Sequence, residues 1–365
     1  MQFIGVDLHT NRFTCCYRNE ETGEKQTETF KLDAMGLEFF CRTLTAETYV
    51  LVEATITTFC FARLIQPLVK GVIVANTYEL KQISLARKNT DKIDADILCR
   101  IIKMQVLSRE KVISPVTIPP IEIQELRGLF TTYRLYKKQT TQIKNRIHSL
   151  LKEKHYGFTQ EEIFDQKSRK KIRGIKNDTV LSFQINDLFD LLENLETRIG
   201  LLQDKIKEQA EPFMKEIEIL TSMKGVSVFI AIAIITDIIK VDRFKNSKAF
   251  TSYLRSAPKV ANSNTSVSIR GINKKGRKLS STLLTQSLNH VLDVSPKLNK
   301  WYQKKVQFKK AGLVRTGLRR RVFAEIYQML KKREYHYGRE ALKHEVKMRQ
   351  YRNFLKKRKN LIETA

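Results

Sequence analysis

The chain has 365 residues, 42% hydrophobic and 29% charged, enough to bury a core in two or three domains and to exclude wholesale disorder. Its 67 Lys and Arg against 38 Asp and Glu leave a net charge of +29, a self-repelling excess that points to a polyanionic partner, nucleic acid first. The longest apolar stretch, residues 226–235, is too short to cross a bilayer and ends at Thr236-Asp237, and the first residues lack a secretory pattern, so a membrane protein is not expected.

Residues 2–8, 13–18 and 27–32 read as three short strands, with a turn at Gly23 between the second and third. Residues 34–44 follow as a helix, 49–53 (YVLVE) as a buried strand, 57–69 as a helix and 72–75 as another strand. After an antiparallel start, helices alternate with strands, which predicts a mixed sheet with helices packed on it. From Ile121 to Lys154 punctuation disappears and a long helix is expected. Leu188, Leu192, Leu195, Ile199, Leu202 and Ile206 then follow the alternating three- and four-residue spacing of a coiled-coil seam, which pairs either within the chain or between two chains. An interruption is expected over 157–177. Beyond Pro212, residues 226–239 predict an apolar helix, 247–254 a shorter one, 257–273 a Ser/Asn/Gly-rich loop, and 279–292 and 318–330 further helices.

Charge divides the chain. Residues 1–120 hold 15 basic and 14 acidic side chains, whereas residues 301–365 hold 20 and 5. A near-neutral front suits a carboxylate-dependent task, and the polycationic rear suits phosphate contact. All five cysteines lie in the front, Cys15, Cys16, Cys41, Cys60 and Cys99, without a CxxC pair; a reduced cytoplasmic, nucleoid-associated setting is expected. Neither the cysteines nor the histidines, His9 included, have zinc-ligand spacing.

Four carboxylates in the front half stand at informative places. Asp7 lies inside the first strand, Glu53 ends the YVLVE strand, and Asp91 and Asp94 sit three apart in NTDKIDAD, on one face of a helix. Brought together they would repel one another without cations, and they would form a site for two Mg²⁺ or Mn²⁺ ions suited to phosphodiester chemistry. Asp96 does not share that face.

The succession FIGVDLH, LVEAT, KNTDKIDA, a long helical spacer, MKGVS, SAPKVANSN and GINKKGRKL resembles the DEDD transposases of insertion sequences and the related Piv-type DNA invertases, up to about His290. The resemblance implies an α/β plus α architecture: a RuvC-like, RNase H-fold domain over residues 1–110, a helical coiled-coil spacer over 111–212, a mostly helical C-terminal transposase domain over 213–330, and a basic tail over 331–365. It implies that Asp7, Glu53, Asp91 and Asp94 form the catalytic, metal-binding tetrad and that Ser263 is the nucleophile. Two departures stand out: Ile56 replaces the glycine that usually follows EAT, and Asn264 replaces the glycine that usually follows the serine. MKGVS resembles a helix-hairpin-helix-like entry, with Ser227 in place of its second glycine. Arg270, Lys274, Lys275, Arg277 and Lys278, with Arg319, Arg320 and Arg321, are the expected nucleic-acid contacts. The implied activity is metal-dependent strand transfer on double-stranded DNA through a phosphoserine link, by a homodimer or homotetramer, with an element-encoded guide RNA in some members. No histidine near Ser263 supplies a base, so activation would fall to the metal site or a front-domain carboxylate. A RuvC-type junction nuclease needing no serine, and a non-catalytic nucleic-acid-binding scaffold, are the rival expectations.

Overall fold

In the computed structural model, residues 1–83, 90–176, 178–263 and 266–363 are described, with backbone alone at 81–83, 160, 164, 166, 259–263, 266–270 and 362–363. The chain divides into two units, Met1–Pro119 and Pro120–Ala365, which meet at consecutive prolines.

The first unit contains β1 (Gln2–Leu8), β2 (Arg12–Asn19), β3 (Lys25–Lys31), α1 (Ala34–Arg42), β4 (Thr48–Glu53), α2 (Thr58–Ile65), β5 (Gly71–Ala75), α3 (Thr77–Ile83) and α4 (Asp91–Ser108). The expected helix over 57–69 stops at Ile65 and gives way to a 3₁₀ turn over Gln66–Leu68, because Pro67 cannot continue the helical ladder. The five strands form one mixed sheet in the order β3-β2-β1-β4-β5, antiparallel across β1, β2 and β3 and parallel from β1 through β4 to β5.

Period-two alternation divides β1 between two cores. Ile4, Val6 and Leu8 join Phe13, Phe40 and Phe61 on one face of the sheet, and Phe3 joins Leu51, Leu98 and Ile102 under α4 on the other. Cys15 and Cys16 fall on opposite faces, each in one of these cores. Helix α4 crosses β1 at Gly5, where an added Cβ would stand 2.2 Å from both the Ala95 carbonyl oxygen and the Cys99 amide nitrogen. Only glycine permits that approach.

The second unit contains α5 (Ile121–Glu153), α6 (Gln160–Phe164), α7 (Gln166–Arg173), α8 (Thr179–Gln209), α9 (Met214–Thr221), α10 (Val228–Ile238), α11 (Ser247–Tyr253), β6 (Pro258–Ser263), β7 (Ser266–Ile272), α12 (Leu279–Val294), α13 (Pro296–Val306), α14 (Ala311–Lys332) and α15 (Ala341–Glu363). Helices α5 and α8 pack antiparallel. Ile143 and Ile147 of α5 share a core with Leu181 and Leu192, and Ile123 and Phe130 share another with Ile199 and Ile206. The chain's own α5 thus fills the coiled-coil seam, so its spacing is accounted for without a second chain.

The Ser/Asn/Gly-rich stretch expected as a loop forms the antiparallel hairpin β6–β7, with Val260 opposite Ile269 and Ser263 opposite Ser266. Its polar residues hid an alternation in which Val267 and Ile269 supply β-formers. The basic tail contributes to packing as well as charge: Met348, Tyr351 and Leu355 of α15 are buried in the main core of this unit.

Candidate active site

The β1–β2 turn closes through the His9 amide donating to the Arg12 carbonyl at 3.0 Å, which sets both side chains beside the end of β1. Asp7, 8% exposed, lies 3.0 Å from His9 Nε2 through Oδ2. His9 Nε2 also stands 3.5 Å from Asp91 Oδ1, and Arg12 donates to Asp91 Oδ2 at 2.8 Å. Asp7, His9 and Asp91 each offer a ligand atom within 4.8 Å of the others, the group of this kind among the described residues.

Asp91 reaches this position because Thr90 caps α4, its side chain accepting from the Ile93 amide. Asp91 and Asp94 occupy the first turn, where the helix dipole favours negative charge. Burial pushes the Asp7 carboxyl above its ordinary range; His9 opposes this, and the charges of Asp94 and Asp91 add to it. Asp94 is therefore close enough to act on Asp7 electrostatically, although it lies outside the 4.8 Å group.

Glu53 ends β4, half-buried. The parallel register pairs Val6 with Val52, so the next positions along the two strands are Asp7 and Glu53. The following turn holds without the usual glycine: Thr58 Oγ1 donates to the Glu53 carbonyl at 2.6 Å and accepts from the Thr55 amide at 2.8 Å. Ile56 is 96% exposed and is not among the residues with left-handed backbone, so this turn does not demand glycine.

Of the four expected carboxylates, Asp7 and Asp91 thus meet within the 4.8 Å group, whereas Glu53, at the neighbouring strand end, and Asp94, in the first turn of α4, are outside it. Their oxygen donors suit a hard divalent cation such as Mg²⁺ or Mn²⁺. His9 and Arg12 are the members of this site that spacing did not reveal. The signal for His9 was its place two residues after Asp7, just past the end of β1, where extended backbone sets it on the Asp7 side.

Asp96 is different. It is 7% exposed and paired with Arg18 at 2.7 Å, Arg100 at 2.8 Å and Lys25 at 3.2 Å, and it accepts from Cys16 Sγ at 3.4 Å. Burial raises its carboxyl, but the hydrogen bonds from Arg18, Lys25 and Cys16 outweigh that and hold it at about 2. It ties α4 to β2 and β3.

In the second unit Ser263 ends β6; its side chain, that of Arg270, and Asn264 lie outside the described residues. Lys274, Lys275 and Lys278 are exposed, as a phosphate-binding role requires. Arg277 is half-exposed and its Nε lies 3.3 Å from the buried Asp237 carboxylate. Arg320 is half-exposed, and Arg321 is exposed with its guanidinium 4.4 Å from the centre of the Trp301 ring.

Arg319 does not fit the expected nucleic-acid role. Its guanidinium donates to Ser256 Oγ at 2.9 Å, Thr285 Oγ1 at 2.8 Å, the Ser281 carbonyl at 3.4 Å and the Arg255 carbonyl at 3.0 Å. With its fork committed to internal acceptors, it is a structural clamp.

At the MKGVS turn, Gly225 adopts φ +82° and Ser227 caps α10, accepting from the Ile230 amide at 3.2 Å. Lys347 of α15 donates to the Thr221 and Val226 carbonyls at 3.1 Å each, so the basic tail pins this turn.

Residues 4–156 match the family model for DEDD transposases of the IS110 type, described as a transposase, and residues 217–303 match the model described as the transposase IS116/IS110/IS902 family. The first match contains Asp7, Glu53, Asp91 and Asp94, and the second contains Ser263. No curated protein matches the chain. Among the described residues no helix is long and apolar enough to cross a membrane.

Proposed function

We propose that this chain, an insertion-sequence transposase of the IS110 type by the two segments it carries, cuts and rejoins double-stranded DNA in a metal-dependent reaction. The observation that carries the reading is the convergence of Asp7, Asp91 and His9 within 4.8 Å at the strand end where Glu53 also lies. The strand order and directions of the first unit support the RuvC-like, RNase H-type domain that the sequence resemblance implies.

In this reading Asp7, Glu53, Asp91 and Asp94 hold Mg²⁺ or Mn²⁺, which when bound polarises the scissile phosphodiester. The raised Asp7 carboxyl fits such a role, because a buried carboxylate that is costly alone is stabilised by a cation. His9 and Arg12 orient the Asp7 and Asp91 carboxylates from the β1–β2 turn.

Ser263 acts as the nucleophile. Its oxygen forms a bond to phosphorus as a deoxyribose oxygen departs with a proton, and the incoming strand's hydroxyl then displaces the serine. Lys274, Lys275, Arg277, Lys278, Arg320 and Arg321 grip the DNA backbone, and a guide RNA and a homodimer or homotetramer complete the assembly. Four parts of the chain carry these roles: residues 1–110, the spacer 111–212, the serine domain 213–330 and the tail 331–365.

The test incubates the full chain with DNA carrying its own element's junction, co-expressed RNA and Mg²⁺, followed by denaturing electrophoresis. Asp7→Asn and Asp91→Asn are expected to abolish cutting while retaining DNA binding. Ser263→Ala is expected to abolish the covalent protein–DNA adduct and joining. Undiminished cutting by Ser263→Ala would replace this mechanism with direct hydrolysis by a junction nuclease, and full activity of Asp7→Asn would remove the metal site.

A further inference from the structure

A cleft of about 240 Å³ in the second unit is lined by five cationic side chains, Arg127, Arg134, Arg255, Arg277 and Lys278, and by one carboxylate, Asp237. Arg127 and Arg134 are seven apart on α5, two turns along one helix face. Arg255 follows α11, and Arg277 and Lys278 precede α12. Three segments remote in sequence thus aim positive charge at one small space, where like charges must be compensated.

Asp237 is one carboxylate against five cations, and its charge acts on Arg277 and Arg127. Its Oδ2 accepts from both the amide and the hydroxyl of Ser280 at 2.8 Å, in the first turn of α12, and its Oδ1 lies 3.3 Å from Arg277 Nε. Arg127 makes its hydrogen bond through Nε, to the Thr236 carbonyl at 3.2 Å, and no ion pair joins it to a carboxylate among the described residues. Burial, followed by the charge of Arg277, brings the Arg127 guanidinium down to about 10.

The cleft is also rigidly built. Arg255 takes the left-handed backbone at φ +52°, rare for a residue with a side chain, and two contacts hold it there. Its Nε donates to the Gly276 carbonyl at 2.8 Å, and its own carbonyl accepts from Arg319 at 3.0 Å. Gly276 has φ +99°, and a Cβ there would stand 2.2 Å from the Tyr253 carbonyl oxygen. The space suits a tetrahedral oxyanion with a few waters, each water taking about 30 Å³ in the liquid.

We propose that this cleft is a prebuilt site for a single backbone phosphate of the DNA, in which Arg127, Arg134 and Arg255 join Arg277 and Lys278 around one group. The inference rests on the reading that the chain acts on DNA, and it differs from a diffuse basic surface in one measurable respect. Side chains that share a phosphate lose it together, whereas separate contacts are lost one by one.

The test measures fluorescence anisotropy of a labelled duplex with the full chain over a series of salt concentrations. Arg127→Gln and Arg134→Gln are each expected to weaken binding roughly three- to tenfold and to reduce the magnitude of the log–log salt slope by about 1, the loss of one phosphate. The double variant is expected to reduce the slope no further. A slope falling by about 2 in the double variant, or unchanged in both single variants, overturns the proposal, as does an effect seen with single-stranded RNA but not with the duplex. Arg134 is exposed, so its variant keeps the test valid if Arg127→Gln fails to fold.

A second arm titrates inorganic phosphate and follows thermal unfolding. A rise in the midpoint with wild type that Arg134→Gln lacks supports the cleft, and equal rises in both overturn it, since general salt stabilisation acts on both alike. Phosphate stabilisation that depends on Arg134, in a chain that binds no DNA, would overturn the DNA reading and leave an oxyanion site.

Discussion

Gly5→Ala adds one methyl group at the point where α4 crosses β1. The new Cβ would lie 2.2 Å from the Ala95 carbonyl oxygen, 2.2 Å from the Cys99 nitrogen and 2.8 Å from the Leu98 carbonyl carbon, against an ordinary contact of 3.4–4 Å. All three atoms are backbone, so no rotamer change relieves the clash, and α4 must retreat by about 1 Å. Overpacking of this kind costs about 1–3 kcal/mol. The same shift carries Asp91 and Asp94, in the first turn of α4, away from Asp7 on β1. A misplacement near 1 Å lowers catalysis by roughly 100-fold. The expected result is a lower midpoint in urea unfolding followed by circular dichroism, together with Mg²⁺-dependent DNA cutting reduced by about two orders of magnitude under conditions where the variant is folded. A variant with wild-type stability and wild-type cutting would refute the claim that this crossing sets the position of the acidic helix turn.

Asp96→Asn removes the anion that joins Arg18, Lys25 and Arg100. Because the folded carboxyl is held at about 2, below its unfolded value, the stability it contributes is complete above about pH 4 and disappears as pH falls toward 2. The variant is therefore expected to lose about 1–2 kcal/mol at neutral pH, after allowing for solvent screening of Lys25 and Arg100, and to converge with wild type near pH 2. A pH-independent gap in chemical denaturation would contradict this. Arg319→Lys replaces a fork with a single ammonium and is expected to lower stability by roughly 2 kcal/mol, because several of the four acceptors lose their donor; unchanged stability with weakened DNA binding would return Arg319 to the phosphate-gripping set.

Much of the first unit was legible because its signals are local. Residues 2–8 alternate as a strand must, Gly23 marks a turn, and YVLVE has the continuous apolar run of a strand covered on both faces. The three-residue spacing of Asp91 and Asp94 put both acids in one helical turn. Where the reading departed, a longer-range or weaker signal decided. The β6–β7 hairpin has Ser and Asn where strands usually show apolar alternation, so composition suggested a loop. The tail is dense in cations, and Met348, Tyr351 and Leu355 recur at the helical spacing of a packed face within it.

The basic residues show most clearly what sequence alone does not resolve. Arg319, Arg320 and Arg321 are adjacent and chemically identical, yet α14 turns Arg319 to internal acceptors and leaves Arg320 and Arg321 lining a cleft with Trp301. Successive residues on a helix point about 100° apart, so a run of three cations does not have to share one role. Conversely, Arg127, Arg134 and Arg255 belong to no basic run and converge with Arg277 only because the fold brings α5, the end of α11 and the start of α12 to one cleft. Charge density along the chain points to a polyanionic partner, whereas the grip on an individual phosphate depends on which guanidinium groups the fold brings to one cleft.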